Sequence, residues 1–233
     1  MSWTDKKAIE TIKKLRDRFN VKILVETGTF RGVNTEVHAN NFEQILTFEA
    51  VSEYYYEAKH RLKMYENVTV MLEDSAHGLE RIKQTLQHGP IPFFYLDAHF
   101  YDPKLPLEKR WVVVNELKAL EGFGPCVIAI HDFKCNGLGH LIYDGQPLDF
   151  EFIEPYISKV NPNFHYYFNN KNGCDILTQE RIVANEIPNL RCDEYVADNI
   201  KYAWSNPSKT YRGILYAVPE TLDLTQFELV ETR

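Results

Sequence analysis

The sequence predicts a doubly wound α/β domain. Five apolar runs of strand length recur through the first 133 residues, helical stretches separate them, and the first run passes straight into a glycine-bearing turn. Each run also ends on an acid: Glu26, Glu49, Asp74, Asp97 and Asp132. A strand buried on both faces has no reason to end in a carboxylate unless the acid is solvated, caps a helix or binds something.

The leading segment, 5–19, sets Ile9, Ile12, Leu15 and Phe19 near one face and lysine and arginine on the other, the pattern of a helix packed over a sheet edge. The first strand follows at 21–25, VKILV, and Gly28 and Gly32 let the chain turn tightly into a helix whose free N–H groups suit an anionic ligand group. QILTFEA at 44–50 is the second strand, with Glu49 at the tip where such sheets hydrogen-bond ribose hydroxyls. Glu49 is also placed to cap the helical SEYYYEAKHRL, for which Ser52 is an equally good N-cap. NVTVMLED at 67–74 is the third strand and delivers Asp74 and Ser75 to the same edge, either to a ligand or as caps of the helix through Leu79, Ile82 and Leu86.

PFFYLDAHF at 92–100 and PCVIAIHDF at 125–133 are the fourth and fifth strands, bringing Asp97 and Asp132 to the crevice where open α/β sheets bind ligands. Paired oxygen ligands favour Mg²⁺ or Mn²⁺ over zinc, which wants more histidine or thiolate. His99 and His131 flank the two acids, each able to bind the metal, act as a base or orient a neighbour.

After the fifth strand the regularity falls. GLGHLIYDGQPLDF at 137–150 is a glycine-bearing loop at the edge that builds substrate pockets, with His140 and Asp144 as candidate substrate contacts or plain polar loop residues. A helix through Phe152 and Ile157 precedes NFHYYFNN, a sixth strand, and RGILYAVP at 212–219 is the last. Residues 171–210 between them, carrying Tyr195, Tyr202 and Trp204, are too long for an ordinary connection and read as a substrate lid, a subunit interface of a homo-oligomer, or a surface excursion over the sheet edge.

The first turn cannot serve a dinucleotide in the usual way, because the second glycine of G-x-G-x-x-G is Phe30 here. It reads E-x-G-x-x-x-G, from Glu26 through Gly28 to Gly32. This resembles the first motif of the class I S-adenosylmethionine-dependent methyltransferases, in which glycines stand at the second, fourth and sixth places after the acid. LDAHFYDPKLPLEKRWVVVNELKAL and VIAIHDF are similar to the fourth and fifth strand regions of a subgroup that methylates small-molecule hydroxyls, often with a metal, and includes enzymes modifying sugars and natural products. The resemblance spans about 21–133. It implies a Rossmann-like sheet of seven strands, mostly parallel, with the last two antiparallel at one edge. It further implies that Glu26, Gly28 and Gly32 surround the methionine portion of the donor, Glu49 its ribose, and Asp74 with Ser75 its adenine. Asp97 and Asp132 match the metal-binding acids of catechol-type O-methyltransferases, but Phe133 replaces their following asparagine and Phe100 their lysine base. In such a mechanism His99 or His131 could accept the proton, if either points into the cleft.

Composition bounds the alternatives. With 233 residues, 44% of them hydrophobic, one sizeable core in a single domain needs no linker. A net charge of −7 without a basic stripe disfavours a nucleic-acid partner. The absence of a long apolar segment or signal-type start points to a cytoplasmic protein without membrane contact. Cys126, Cys135, Cys174 and Cys192 form no close pair, so free thiols are expected. A nicotinamide-dependent oxidoreductase and a non-catalytic binding module on the same fold stay open.

Overall fold

The computed structural model describes residues 6–99, 104–106, 110–135, 140–169 and 213–231. The proposed lid at 171–210 lies outside them. An N-terminal helix, α1 (Lys6–Arg18), leads into β1 (Ile23–Thr27), α2 (Val33–His38), β2 (Gln44–Glu49), α3 (Ser52–Arg61), β3 (Val68–Leu72), α4 (Ser75–Gln87) and β4 (Phe93–Leu96). Then come α5 (Val112–Ala119), β5 (Val127–His131), the short pair β6 (Ile142–Tyr143) and β7 (Gln146–Pro147), α6 (Phe150–Val160), β8 (His165–Asn169), β9 (Ile214–Val218) and β10 (Leu229–Glu231).

The main sheet runs β10-β8-β9-β5-β4-β1-β2-β3. The five N-terminal strands are mutually parallel, while β9 is antiparallel to both of its neighbours, β5 and β8. All seven expected strands are therefore present, and a short eighth, β10, pairs antiparallel with β8 at the edge. The β6–β7 pair is a hairpin in the segment read as a loop. Asp144 and Gly145 at its tip take φ of 52° and 83°, the left-handed pair that a two-residue hairpin turn demands and that Asp-Gly supplies.

Alternate residues of each central strand feed two cores. Val25, Phe94, Ile128 and Leu215 face Leu79 of α4, Val113 and Leu117 of α5, and Ile153 and Ile157 of α6. Leu24, Phe93, Val127 and Tyr216 face Ala8, Ile12 and Leu15 of α1, with Leu222 and Phe227 closing that layer. Helices on both faces oblige the strands to be apolar throughout, which is why they read as continuous runs. Among the described residues no helix is long and apolar enough to cross a membrane.

His38 at the end of α2 is buried, and neither ring nitrogen makes a hydrogen bond among the described residues. Burial, with Lys13 and Arg16 adding repulsion, pushes its pKa down from 6.5 to about 4. The neutral imidazole's stability is complete above the unfolded value and is lost as pH falls through the folded one, about 3 kcal/mol in all. His38→Phe is expected to remove that acid lability and to gain about 1 kcal/mol at neutral pH by deleting two unsatisfied buried atoms. Urea denaturation at pH 7 and pH 4.5 checks both; a variant as acid-labile as the wild type would refute the assignment.

Candidate active site at the switch point of the sheet

The chain steps outward from β1 to β2 to β3, then returns across the sheet to β4 on the other flank of β1. Connections leave in opposite directions from β1 and β4, so a crevice opens above their carboxyl ends. Register sets what converges there. Thr27 lies opposite Leu96, and Leu96 opposite Ile130, so the residues that follow, Gly28, Asp97 and His131, emerge side by side.

Gly28 has φ of 73°, and a β-carbon on it would stand 2.7 Å from the Asp97 carbonyl oxygen and 2.8 Å from the Ala98 α-carbon. The glycine is thus demanded both by backbone conformation and by close approach of the β4 tip. Gly32, with φ of 75°, begins α2 against Ala58 and Leu62 of the α3 region. Phe30 takes φ of 49°, so the backbone keeps the left-handed conformation that the missing glycine would have supplied. Its ring lies 4.5 Å from that of Tyr54, and the Arg31 guanidinium 5.4 Å from its centroid.

Glu26 does not open into the crevice. It is buried, and its carboxyl accepts from Asn34 Nδ2 at 2.7 Å, Thr47 Oγ1 at 2.7 Å and Thr35 Oγ1. Burial raises its pKa from 4.5 to about 7 against the pull of those hydrogen bonds. Its place is beneath the turn, tying α2 and β2 to β1.

Glu49 uses both oxygens on backbone: Phe30 N–H donates to one at 2.7 Å and Val51 N–H to the other at 2.8 Å. It therefore braces the glycine turn and the start of α3 together. Asp74 is the N-cap of α4, accepting from His77 N–H at 3.2 Å. Ser75 is buried and donates to Glu116 Oε1 at 2.5 Å. Thr27 and Glu116 are the participants that sequence reasoning missed. Thr27 Oγ1 accepts from the Asp97 N–H at 3.2 Å, and burial raises the Glu116 carboxyl to about 7 although the Ser75 bond opposes it. The signal for Glu116 was its register: it falls on the buried stripe of α5 with Val113 and Leu117.

The structure joins Asp97, His99, His131 and Asp132 into one cluster, with one ligand atom from each within 4.8 Å of the others. His131 Nδ1 lies 2.9 Å from Asp97 Oδ1 and 3.5 Å from Asp132 Oδ1, whereas His99 Nε2 lies 3.0 Å from Asp132 Oδ2 and 3.3 Å from Asp97 Oδ1. Burial opposes ionisation of both acids, but the two imidazoles outweigh it and hold both carboxyls well below their usual range. Burial likewise opposes charging of the histidines, and the carboxylates overcome it, raising His131 and taking His99 to about 10. The side chain of His99 is 22% exposed at the lip, against 3% for His131.

Asp144, a candidate substrate contact, instead pairs with Arg110 at the tip of the β6–β7 hairpin, while Trp111 packs on Tyr143 at 4.5 Å. His140 is half-buried where the chain enters the hairpin. The hairpin hangs directly from the site, since the Leu141 N–H donates to the Asp132 carbonyl at 2.9 Å.

No protein-family model matches the chain, and no curated protein is similar to it in sequence. Solved structures do match. A phosphoethanolamine N-methyltransferase 2 from Haemonchus contortus, in complex with S-adenosyl-L-methionine, superposes with a TM-score of 0.53 at 14% identity, over 91% of this chain and 53% of that one. This chain thus spans about half of that protein's length. A "putative O-methyltransferase" from Klebsiella pneumoniae gives a TM-score of 0.52 at 14% identity, covering 93% of this chain and 81% of that one. Likeness at such identity establishes the fold.

Proposed function

We propose that this chain, which has the fold of the class I S-adenosylmethionine-dependent methyltransferases, moves the methyl group of S-adenosylmethionine to a hydroxyl of a small molecule, a sugar or natural product, with a divalent cation assisting. The observation that supports this most is the convergence of Asp97, His99, His131 and Asp132 beside the glycine turn at the switch point. The negative net charge and the lack of a basic stripe favour a small acceptor over a polyanion.

The donor, when bound, supplies a methyl group already activated as a sulfonium. The protein's task is alignment and proton management. The turn through Gly28, Phe30 and Gly32 would wall the methionine portion, the Glu49 brace would lie toward the ribose, and the Asp74 and Ser75 corner of α4 toward the adenine. Asp97 and Asp132 would hold a divalent ion, whose positive charge lowers the pKa of an acceptor hydroxyl. The donor set fits such an ion, because His131 Nδ1 is buried beside both carboxylates and makes no hydrogen bond among the described residues. His99, nearer the solvent, is the group positioned to take the acceptor's proton. The two carboxylates hold its proton up to about pH 10, and a divalent ion shared by those carboxylates would oppose that charge and favour the neutral base.

Calorimetric titration with S-adenosylmethionine and, separately, with NAD tests the donor: binding of the sulfonium alone is expected, and binding of NAD alone would replace the reading with a nicotinamide one. The Asp97→Asn, Asp132→Asn double variant should lose methyl transfer to a hydroxylated acceptor panel by about 100-fold or more. Full activity of that variant in chelator would remove the two acids from the reaction.

A further inference from the structure

We infer that His131 joins Asp97 and Asp132 as the third ligand of a mixed nitrogen and oxygen metal centre, one that takes a first-row transition dication in preference to Mg²⁺. This deepens the reading above, naming the cation of the same hollow and giving His131 a ligand's role rather than a base's.

The argument starts from His131 Nδ1. It belongs to a side chain 3% exposed and stands 2.9 Å and 3.5 Å from one oxygen of each acid, yet forms no hydrogen bond among the described residues. A buried imidazole nitrogen so placed faces two carboxylate oxygens at ion-pair distance without an aligned hydrogen bond to either. An ion explains it. A metal about 2.1 Å from each of three donors sets them about 3 to 3.5 Å apart, for right-angled to tetrahedral geometry, and His131 Nδ1 stands 2.9 Å and 3.5 Å from the two acids. The strand register described above fixes His131 and Asp97 side by side, so the arrangement needs no rearrangement of the fold. The outer partner is in place as well, since His99 Nε2 contacts Asp132 Oδ2 at 3.0 Å and would hold the carboxylates in orientation.

The donor set then selects the ion. Mg²⁺ prefers oxygen throughout and keeps most of its waters, whereas imidazole favours the later first-row dications, whose affinities rise along that row. Two carboxylates and one imidazole therefore place the preference with Co²⁺ and Zn²⁺ and their neighbours.

The test uses the full chain, stripped with chelator and titrated with Co²⁺ while its visible absorption is recorded. Expected is saturable binding that Zn²⁺ reverses and that about 100-fold excess Mg²⁺ leaves in place. His131→Asn should weaken Co²⁺ binding by more than about 100-fold, and His99→Asn, which removes only an outer partner, by about 10-fold, with unchanged circular dichroism. Displacement of Co²⁺ by comparable Mg²⁺, or wild-type Co²⁺ binding by His131→Asn, would overturn the inference. Should His131→Asn fail to fold, the Mg²⁺ competition on the unaltered chain decides alone. S-adenosylmethionine titration separates the two readings: donor binding without Co²⁺ selectivity removes only this centre, and Co²⁺ selectivity without donor binding removes only the proposed reaction.

Discussion

Gly28→Ala is expected to destabilise the protein by about 2 to 5 kcal/mol and to abolish donor binding. Two costs add. An L-residue held at φ of 73° loses about 1 to 2 kcal/mol to the left-handed conformation. The new β-carbon would also stand 2.7 Å from the Asp97 carbonyl and 2.8 Å and 2.9 Å from Ala98 α-carbon and nitrogen, all backbone atoms that cannot rotate away. Relieving such overpacking typically costs about 1 to 3 kcal/mol. Relief requires the β4 tip to retreat, and that tip carries Asp97 and His99. In a domain of this length the melting temperature should drop by about 10 °C. Gly145→Ala is the control: φ is 83° there but nothing lies within 4 Å of the added carbon, so only the conformational cost applies and the cluster is untouched. Thermal melts and donor titration of both variants give the answer; equal effects of the two would show that the approach of β4 to the turn has no energetic weight.

Glu26→Gln is expected to make the protein more stable at pH 8 by about 2 to 3 kcal/mol while leaving it unchanged near pH 4.5. The folded pKa of Glu26 is raised, first by burial, from 4.5 to about 7. A raised folded pKa means that the native state holds the proton more tightly than the unfolded chain. Its stabilising effect is therefore complete below about pH 4.5 and is lost as pH rises through 7. A glutamine stays neutral at every pH and can still bond with Asn34, Thr35 and Thr47. Glu116 carries the same shift in the same direction, so Glu116→Gln should flatten what slope remains. Urea unfolding at pH 4.5, 6 and 8 reads both, and a Glu26→Gln curve that falls in parallel with the wild type would show that this carboxyl is ionised in the native state. Opposed to it, His38 weakens the fold on the acid side, so stability should peak between the two.

The strands were legible because burial on both faces leaves their composition no freedom. Residues 127–131 are all fully buried, and VIAIH can hardly read as anything but a strand. The Asp-Gly hairpin was equally legible and passed unread. The acids at the strand tips were visible as well, but their separate tasks were not. Asp74 caps a helix, Glu49 braces two backbone segments, Glu26 is sealed beneath the turn, and only Asp97 and Asp132 meet. A carboxylate at the end of a strand looks the same in all four situations, since what distinguishes them is the direction of the side chain and the donors that happen to face it. Thr27 and Thr47 escaped notice for the converse reason: a small hydroxyl inside an apolar run carries no periodic signal, although one receives the Asp97 N–H and the other bonds Glu26.

Phe30 shows how a loop can hold a left-handed turn with no glycine at that place. Its torsion is that of a glycine, and the ring, lodged against Tyr54, rides on a backbone that still offers its N–H to Glu49. A pattern spelled in amino-acid letters passes over such a turn, whereas one written in dihedral angles detects it. Chains that look too degenerate to accept a nucleoside ligand deserve to be sorted by that second criterion.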